Sequence, residues 1–381
     1  MARLGDLIEQ IRGVSYKPED VYNSLDNESI ILLRANNIKD GKLNFDEVVF
    51  VGKEKVNEKQ ILKKGDILIC ASSGSKELVG KAAFVENDLP MTFGAFCKVA
   101  RPKKENKKYI GHFFNSPFYR EKISNSSAGA NINNIRNEHI DELQIEYPSL
   151  EEQEKISNIL DEVNELISCR KEQLAKLEKL VKARFVEMFG DPKYNGSNLV
   201  KIEEIGTLTS GGTPSRAKPE YFEGDIRWYS AGELNSLYLP DSVEHISETA
   251  LQQSSAKLFK KGTLMIGMYD TAAFKMGILT EESSSNQACA NLNPKQGYNI
   301  VWLYYLFDIM KPIFLQERQG VRQKNLSLSK IKEFEVPFAP FELQERFAAF
   351  VEQTDKTKAE VQKSLDELET LKKSLMQKYF G

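Results

Sequence analysis

The chain has 381 residues, 41% of them hydrophobic and 28% charged. That is room for two or three ordinary globular domains, and it excludes collagen-like, disulfide-framework and wholly disordered classes. With 52 basic and 55 acidic side chains the net charge is −3, so any contact with nucleic acid must rest on local patches rather than on overall charge.

In chain order, an amphipathic stretch near residues 4–11 predicts a helix, and strand-like runs follow at Asp66–Cys70, Ala82–Val85 and Ala95–Val99. A second amphipathic stretch at 109–122 predicts a helix. Residues 149–190 differ in kind. Ile156, Leu160, Val163, Ile167, Leu174, Leu177, Val181 and Met188 keep 4–3 spacing with Glu and Lys between them, the mark of a long helix with one apolar seam. Ser149 and Glu152 fit a capping box, and Gly190-Asp191-Pro192 fits a stop. Asp191–Asn198 reads as a linker. Further strands are expected at Thr263–Met268 and Gly277–Thr280, a helix at 298–318, and a second long helix over 340–381 with Phe347, Val351, Val361, Leu365, Leu368 and Leu375 on its seam. Each long helix would span ~60 Å, more than one domain covers. The two are therefore expected to pair antiparallel.

The chain repeats itself. Residues 149–190 and 340–381 share ten identities in 42 positions without a gap, at an offset of 191. Upstream the offset slips: Lys64–Ile69 matches Lys261–Ile266 at 197, and RLGDL at 3–7 matches KIEEI at 201–205 at 198. Changing offsets mean loops of different length on a shared frame. The organisation expected is 1–148 as a first domain, 149–190 as a helix, 191–198 as a linker, 199–339 as a second domain and 340–381 as a helix. The fold class is α+β with a pseudo-twofold internal repeat.

Catalytic signatures are missing. Gly74–Ala82 (GSKELVGKA) has five residues rather than four before its second glycine, and alanine where a phosphate loop needs Ser or Thr. Asn115-Ser116-Pro117-Phe118 fails the amine-gripping tetrapeptide of amino-methyltransferases and reads as a helix breaker. Pro240-Asp241 is followed by no carboxylate–lysine triplet of a metal nuclease. Cys70, Cys97, Cys169 and Cys289 show no CxxC pair, and His112, His139 and His245 stand far apart, so no metal is expected. The start of the chain shows no apolar leader segment, and no stretch is long enough for a membrane span; a cytoplasmic protein is expected.

The segment YPSLEEQEKISNILDEVNELI at 147–167, ending in MFGD, resembles the conserved helix of type I restriction–modification specificity subunits. IEEIGTLTSGGTPSRAKPEYFEGDIRWYSAGEL at 202–234 resembles the start of that family's target-recognition domains, and KKGTLMIGM, SNQACANLNP and GVRQKNLSLSKIKEFEVPFAP continue it in order. The first half is a looser member, with Gly13-Val14-Ser15-Tyr16 in place of GGTPS. The resemblance implies two target-recognition domains, each reading half of a bipartite double-stranded DNA sequence, with the helices as an antiparallel coiled-coil spacer. It implies two modification (methyltransferase) subunits and motor-nuclease restriction subunits as partners. S-adenosylmethionine, ATP and magnesium would be held by those partners, leaving this chain non-catalytic and without cofactor.

The DNA-binding candidates are polar loop residues able to bond base edges or phosphates. In the first domain they are Ser72, Ser73, Ser75 and Lys76 after a strand, Arg101, Lys103 and Lys104 in a basic run, and Asn131, Asn133, Asn134 and Arg136 in a Gly-led turn. In the second they are Thr213, Ser215 and Arg216, then Tyr269, Thr271 and Lys275, then Arg322, Gln323, Lys324 and Asn325. Ordinary turn chemistry is the alternative for each. Trp228 and Tyr229 read as core anchors. A protein-interaction scaffold built on the coiled coil is the competing reading of the whole, and an enzyme with unrecognised catalytic residues is the third.

Overall fold

A computed structural model describes residues 1–103, 106–126, 133–193, 198–318 and 325–381. The chain divides into two compact units, Met1–Lys171 with Lys363–Gly381, and Glu172–Gln362.

In the first unit an antiparallel sheet runs Ala82–Phe84, Ile67–Cys70, Cys97–Pro102, Ile8–Arg12. A second sheet runs Met91–Phe93, Ser29–Leu33, Val49–Gly52, Val21–Tyr22, its first pair parallel. The second unit repeats the plan. Its sheet runs Met276–Ile278, Leu264–Gly267, Cys289–Pro294, Gly206–Ser210. Its second sheet runs Ser284–Ser285, Ile226–Tyr229, Glu244–Ile246, again with the first pair parallel. Ala2–Arg3 with Gln144–Ile145, and Leu199–Lys201 with Glu335–Pro337, close the two domains in the same way. Ile67–Cys70 and Leu264–Gly267 are buried at every position, as their unbroken apolar runs require of central strands.

The expected helix at 4–11 is shorter. Only Leu4–Leu7 is helical, and Ile8–Arg12 is a strand with Ile8 and Ile11 buried and Glu9 exposed. Pairing along Cys97–Pro102 overrides the local amphipathic pattern. The 109–122 helix divides into Lys107–Phe113 and Pro117–Ser126, because proline lacks the N–H needed to continue a helix but suits its first turn. The 298–318 helix is Ile300–Phe314.

The long helices are Leu150–Phe189 and Phe341–Phe380. Glu152 N–H donates to Ser149 Oγ at 3.3 Å, and Gly190, at φ +77°, ends the first helix in the left-handed conformation that glycine adopts freely. Segments of both helices enter each unit. In the first unit Ile156, Leu160, Met376 and Phe380 join one core, and Phe380 lies 5.1 Å from the Tyr109 ring. There Arg170 Nε donates to Ser364 Oγ at 3.2 Å and Lys171 pairs with Glu369 at 2.9 Å. The Ile156–Leu160 stretch shares its core with the far end of the second helix, Met376–Phe380, whereas Arg170 further along meets the earlier Ser364, so the two segments run antiparallel within that unit. In the second unit Phe185 packs edge-on to Phe347 at 5.2 Å and beside Trp302. Val181 and Val351 join the same core. Among the described residues no helix is long and apolar enough to cross a membrane.

Candidate nucleic-acid interface

In the first unit the chain leaves the buried strand Ile67–Cys70 into Ala71-Ser72-Ser73-Gly74-Ser75-Lys76. Ser72–Ser73 then pairs antiparallel with Asn133–Asn134, Ser72 opposite Asn134. Ile135 N–H donates to the Ala71 carbonyl at 2.8 Å. Two loops that the sequence singles out separately are thus one ladder. A third segment joins them. The Phe96 carbonyl accepts from Ala71 N–H at 2.8 Å and Ser72 N–H at 3.0 Å, and the Gly94–Cys97 turn that carries Phe96 is closed by Cys97 N–H to Gly94 O at 2.8 Å.

The second unit builds the same edge. Leu326 N–H donates to Met268 O at 2.8 Å and Met268 N–H to Ala288 O at 2.9 Å, while Cys289 N–H to Asn286 O closes the matching turn at 3.2 Å. Asp270 N–H donates to Asn325 Oδ1 at 3.0 Å. Asp270 and Phe274 hold φ of 47° and 52°, a conformation that costs non-glycine residues energy and persists only where the surroundings enforce it. Beneath each edge a glycine is obligatory. A Cβ on Gly13 would stand 2.1 Å from Gly94 O, and one on Gly211 would stand 2.2 Å from Ser285 O. The GGTPS element is thus a close-packing device, and its Thr213 hydroxyl bonds Gln287 on the Asn286–Cys289 turn.

The candidates divide by environment. Ser75, Lys76, Asn134 and Arg136 are exposed beside the first edge, and Ser72 and Ser73 are half-buried in it. Tyr269 and Thr271 are exposed at the second, with Lys275 and Asn325 half-buried. Arg101 is committed elsewhere. Its Nε and Nη2 grip Asp66 at 2.7 and 2.8 Å, and Nη2 also bonds Ile61 O. The bond to Asp66 holds its pKa up. Lys103 donates to the carbonyls of Gly5 and Asp6. Arg216 pairs with Glu244 through both terminal nitrogens and lies over Phe222 at 4.2 Å, and Ser215 is exposed, its carbonyl capping Lys218 N–H. Lys104, Asn131, Arg322, Gln323, Lys324 and the Asn133 side chain lie outside the described residues. Trp228 and Tyr229 are core anchors, with the indole N–H on Gly212 O at 3.0 Å and the phenol on Pro240 O at 2.6 Å.

The sequence reading passes over two features. It places Ala95 and Phe96 in a strand, but the strand begins at Cys97 because the Gly94–Cys97 turn bond takes those two residues. It also misses Lys98, a buried ammonium that donates to Gln10 Oε1 at 3.0 Å and Asn137 Oδ1 at 2.8 Å. Burial lowers its pKa to about 8 against the pull of Asp141 and Glu138. Gln10 also bonds Asp141 at 2.7 Å and Asn137 O at 3.0 Å, so this network ties the helix that follows Arg136 to the sheet.

Fold and edges together define a tandem pair of α+β domains that present matching polar edges at the ends of buried sheets. The type I restriction modification DNA specificity domain family matches residues 1–179 and again residues 194–370; the chain belongs to that family, in two copies. It is 44% identical over 173 residues to the type I restriction enzyme StySPI specificity subunit of Salmonella potsdam, covering 45% of this chain and 37% of that protein. It is 43% identical over 173 residues to the EcoKI specificity subunit of Escherichia coli K12, with the same coverage. The matched region thus spans little more than a third of those relatives. The type I restriction–modification S subunit of M. genitalium superposes with a TM-score of 0.59 at 16% identity, covering all of this chain and 95% of that one. At that identity the likeness speaks for the fold.

Proposed function

We propose that the chain is the specificity subunit of a cytoplasmic type I restriction–modification complex, each unit reading one half of a bipartite DNA sequence. The observation that carries this reading is one backbone edge built twice with different side chains. It offers Ser72, Ser73 and Asn134 in one copy and Tyr269, Thr271 and Asn325 in the other. A shared frame with unlike donors suits one chain to a split, non-palindromic site, as a dimer suits a palindrome.

The chain itself cuts and methylates nothing in this reading. Two modification subunits and the restriction subunits supply catalysis, S-adenosylmethionine, ATP and magnesium. Ile159 and Leu166, seven residues apart on the first long helix and both exposed, support docking of a partner along that helix. The 40-residue helices act as the spacer between half-sites.

Exchanging residues 199–337 for the same segment of another family member tests the reading. The methylated sequence, mapped across a genome in the presence of the modification subunit, is expected to change in one half only. A change in both halves would show that the units do not read independently.

A further inference from the structure

Phe96 is 71% exposed. A lone exposed apolar side chain is common on protein surfaces and needs no explanation by itself. This one is unusual in how it is held. Its carbonyl takes the N–H groups of both Ala71 and Ser72, and its turn is closed by the Gly94–Cys97 bond. The backbone under the ring is therefore fixed at the centre of the first unit's edge, next to the Ser72–Asn134 pair. Such an aromatic loses little conformational freedom on contact, since only two side-chain torsions remain to be ordered.

The second unit differs here. Ala288 holds the position equivalent to Phe96, its carbonyl accepting from Met268 N–H as the Phe96 carbonyl does from Ala71 N–H, and it is half-buried. The exposed aromatic of that edge is Tyr269, 40% exposed, which holds the place of Ser72. Each edge thus carries one exposed aromatic ring at non-equivalent positions. A phenyl ring can neither donate nor accept, and the one apolar feature on a major-groove base edge is the thymine 5-methyl group. Insertion between base steps is the other use of such a ring, but it goes with minor-groove approach. Ser and Asn flanking Phe96 suit major-groove edges instead.

Resting on the DNA-reading function above, we propose that Phe96 is a specificity residue of the first unit, its ring packing against the 5-methyl group of a thymine in that unit's half-site. The test uses the full chain assembled with its modification subunits. Binding is measured to the methylated target and to duplexes in which single thymines of either half-site are replaced by deoxyuridine. Wild type is expected to lose about tenfold in affinity for one such replacement in the first unit's half-site, the lower end of what one methyl contributes in an apolar contact. Phe96→Ala should show the same loss on the unmodified target and no further loss on that deoxyuridine duplex, while Phe96→Leu recovers most of the binding. Replacements in the other half-site should affect all three proteins alike. Phe96→Ala binding as wild type does, or feeling the deoxyuridine as strongly as wild type does, overturns the proposal. If wild type shows no preference for a bipartite target at all, the function proposed above fails instead.

Discussion

Lys98, Gln10 and Asn137 of the first unit hold the places taken in the second by Ala290, Leu208 and Leu328. The registers fix the equivalence: Lys98 lies opposite Ile69 and Arg12, and Ala290 opposite Ile266 and Ser210. One trio is a hydrogen-bonded polar network; in the other, Ala290 and Leu208 belong to the core and Leu328 packs against it. All three positions differ together, and exchanging Gln10 or Asn137 alone would leave the buried Lys98 ammonium short of an acceptor. Three backbone bonds at the edge, by contrast, recur in both units: Ala71 N–H to Phe96 O as Met268 N–H to Ala288 O, Ile135 N–H to Ala71 O as Leu326 N–H to Met268 O, and Cys97 N–H to Gly94 O as Cys289 N–H to Asn286 O. The repeat therefore preserves hydrogen-bonded frame and lets side chains diverge in matched groups.

The largest effect should come from altering the connection while leaving both units as they are. Inserting four helical residues after Lys171 and four after Gln362, where the units divide, lengthens both helices by ~6 Å. At ~3.4 Å per base pair the gap between half-sites should grow by one or two base pairs with both half-sites unchanged. A methylating variant with an unaltered gap would show that something other than the helices sets the spacing.

A smaller effect should follow from giving the first unit the second's trio. Lys98 titrates at about 8 in the folded unit against about 10.5 in the open chain. Between those values the unfolded chain binds more protons, so this group makes stability rise with pH from about 8 to about 10.5 and leaves it flat below about 8. The rise amounts to about 3 kcal/mol at most. Urea unfolding across that range should show it for wild type. It should vanish in Lys98→Ala combined with Gln10→Leu and Asn137→Leu. An unchanged pH profile in the triple variant would mean that burial does not lower the Lys98 pKa.

Much of this frame is legible in the sequence, and the exceptions share a cause. The strands around Ile67–Cys70 and Leu264–Gly267 announce themselves as apolar runs, and the long helices by their 4–3 seams and by Gly190. The repeat survives because its offsets change only in loops. What stays hidden is short and fixed from far away. Ser72–Ser73 and Asn133–Asn134 are two-residue strands without hydrophobic alternation, and they exist through each other. Phe96 looks like strand until two N–H groups more than twenty residues upstream are found on its carbonyl. Arg101 reads as part of a basic run, and Asp66, 35 residues earlier, claims it. Local periodicity reports elements; it cannot report which polar groups meet across a fold.

The most direct test of the central claim, that each edge reads its own half of the target, is a methylome of reciprocal edge variants. Asn134→Ala in the first unit should relax the first half-site at one or two positions, by about tenfold or more where a base contact is lost, and leave the second half intact. Asn325→Ala, which removes the acceptor that holds the Asp270 N–H, should do the converse. Either variant altering both halves, or both variants methylating the wild-type sequence with undiminished selectivity, would contradict the account.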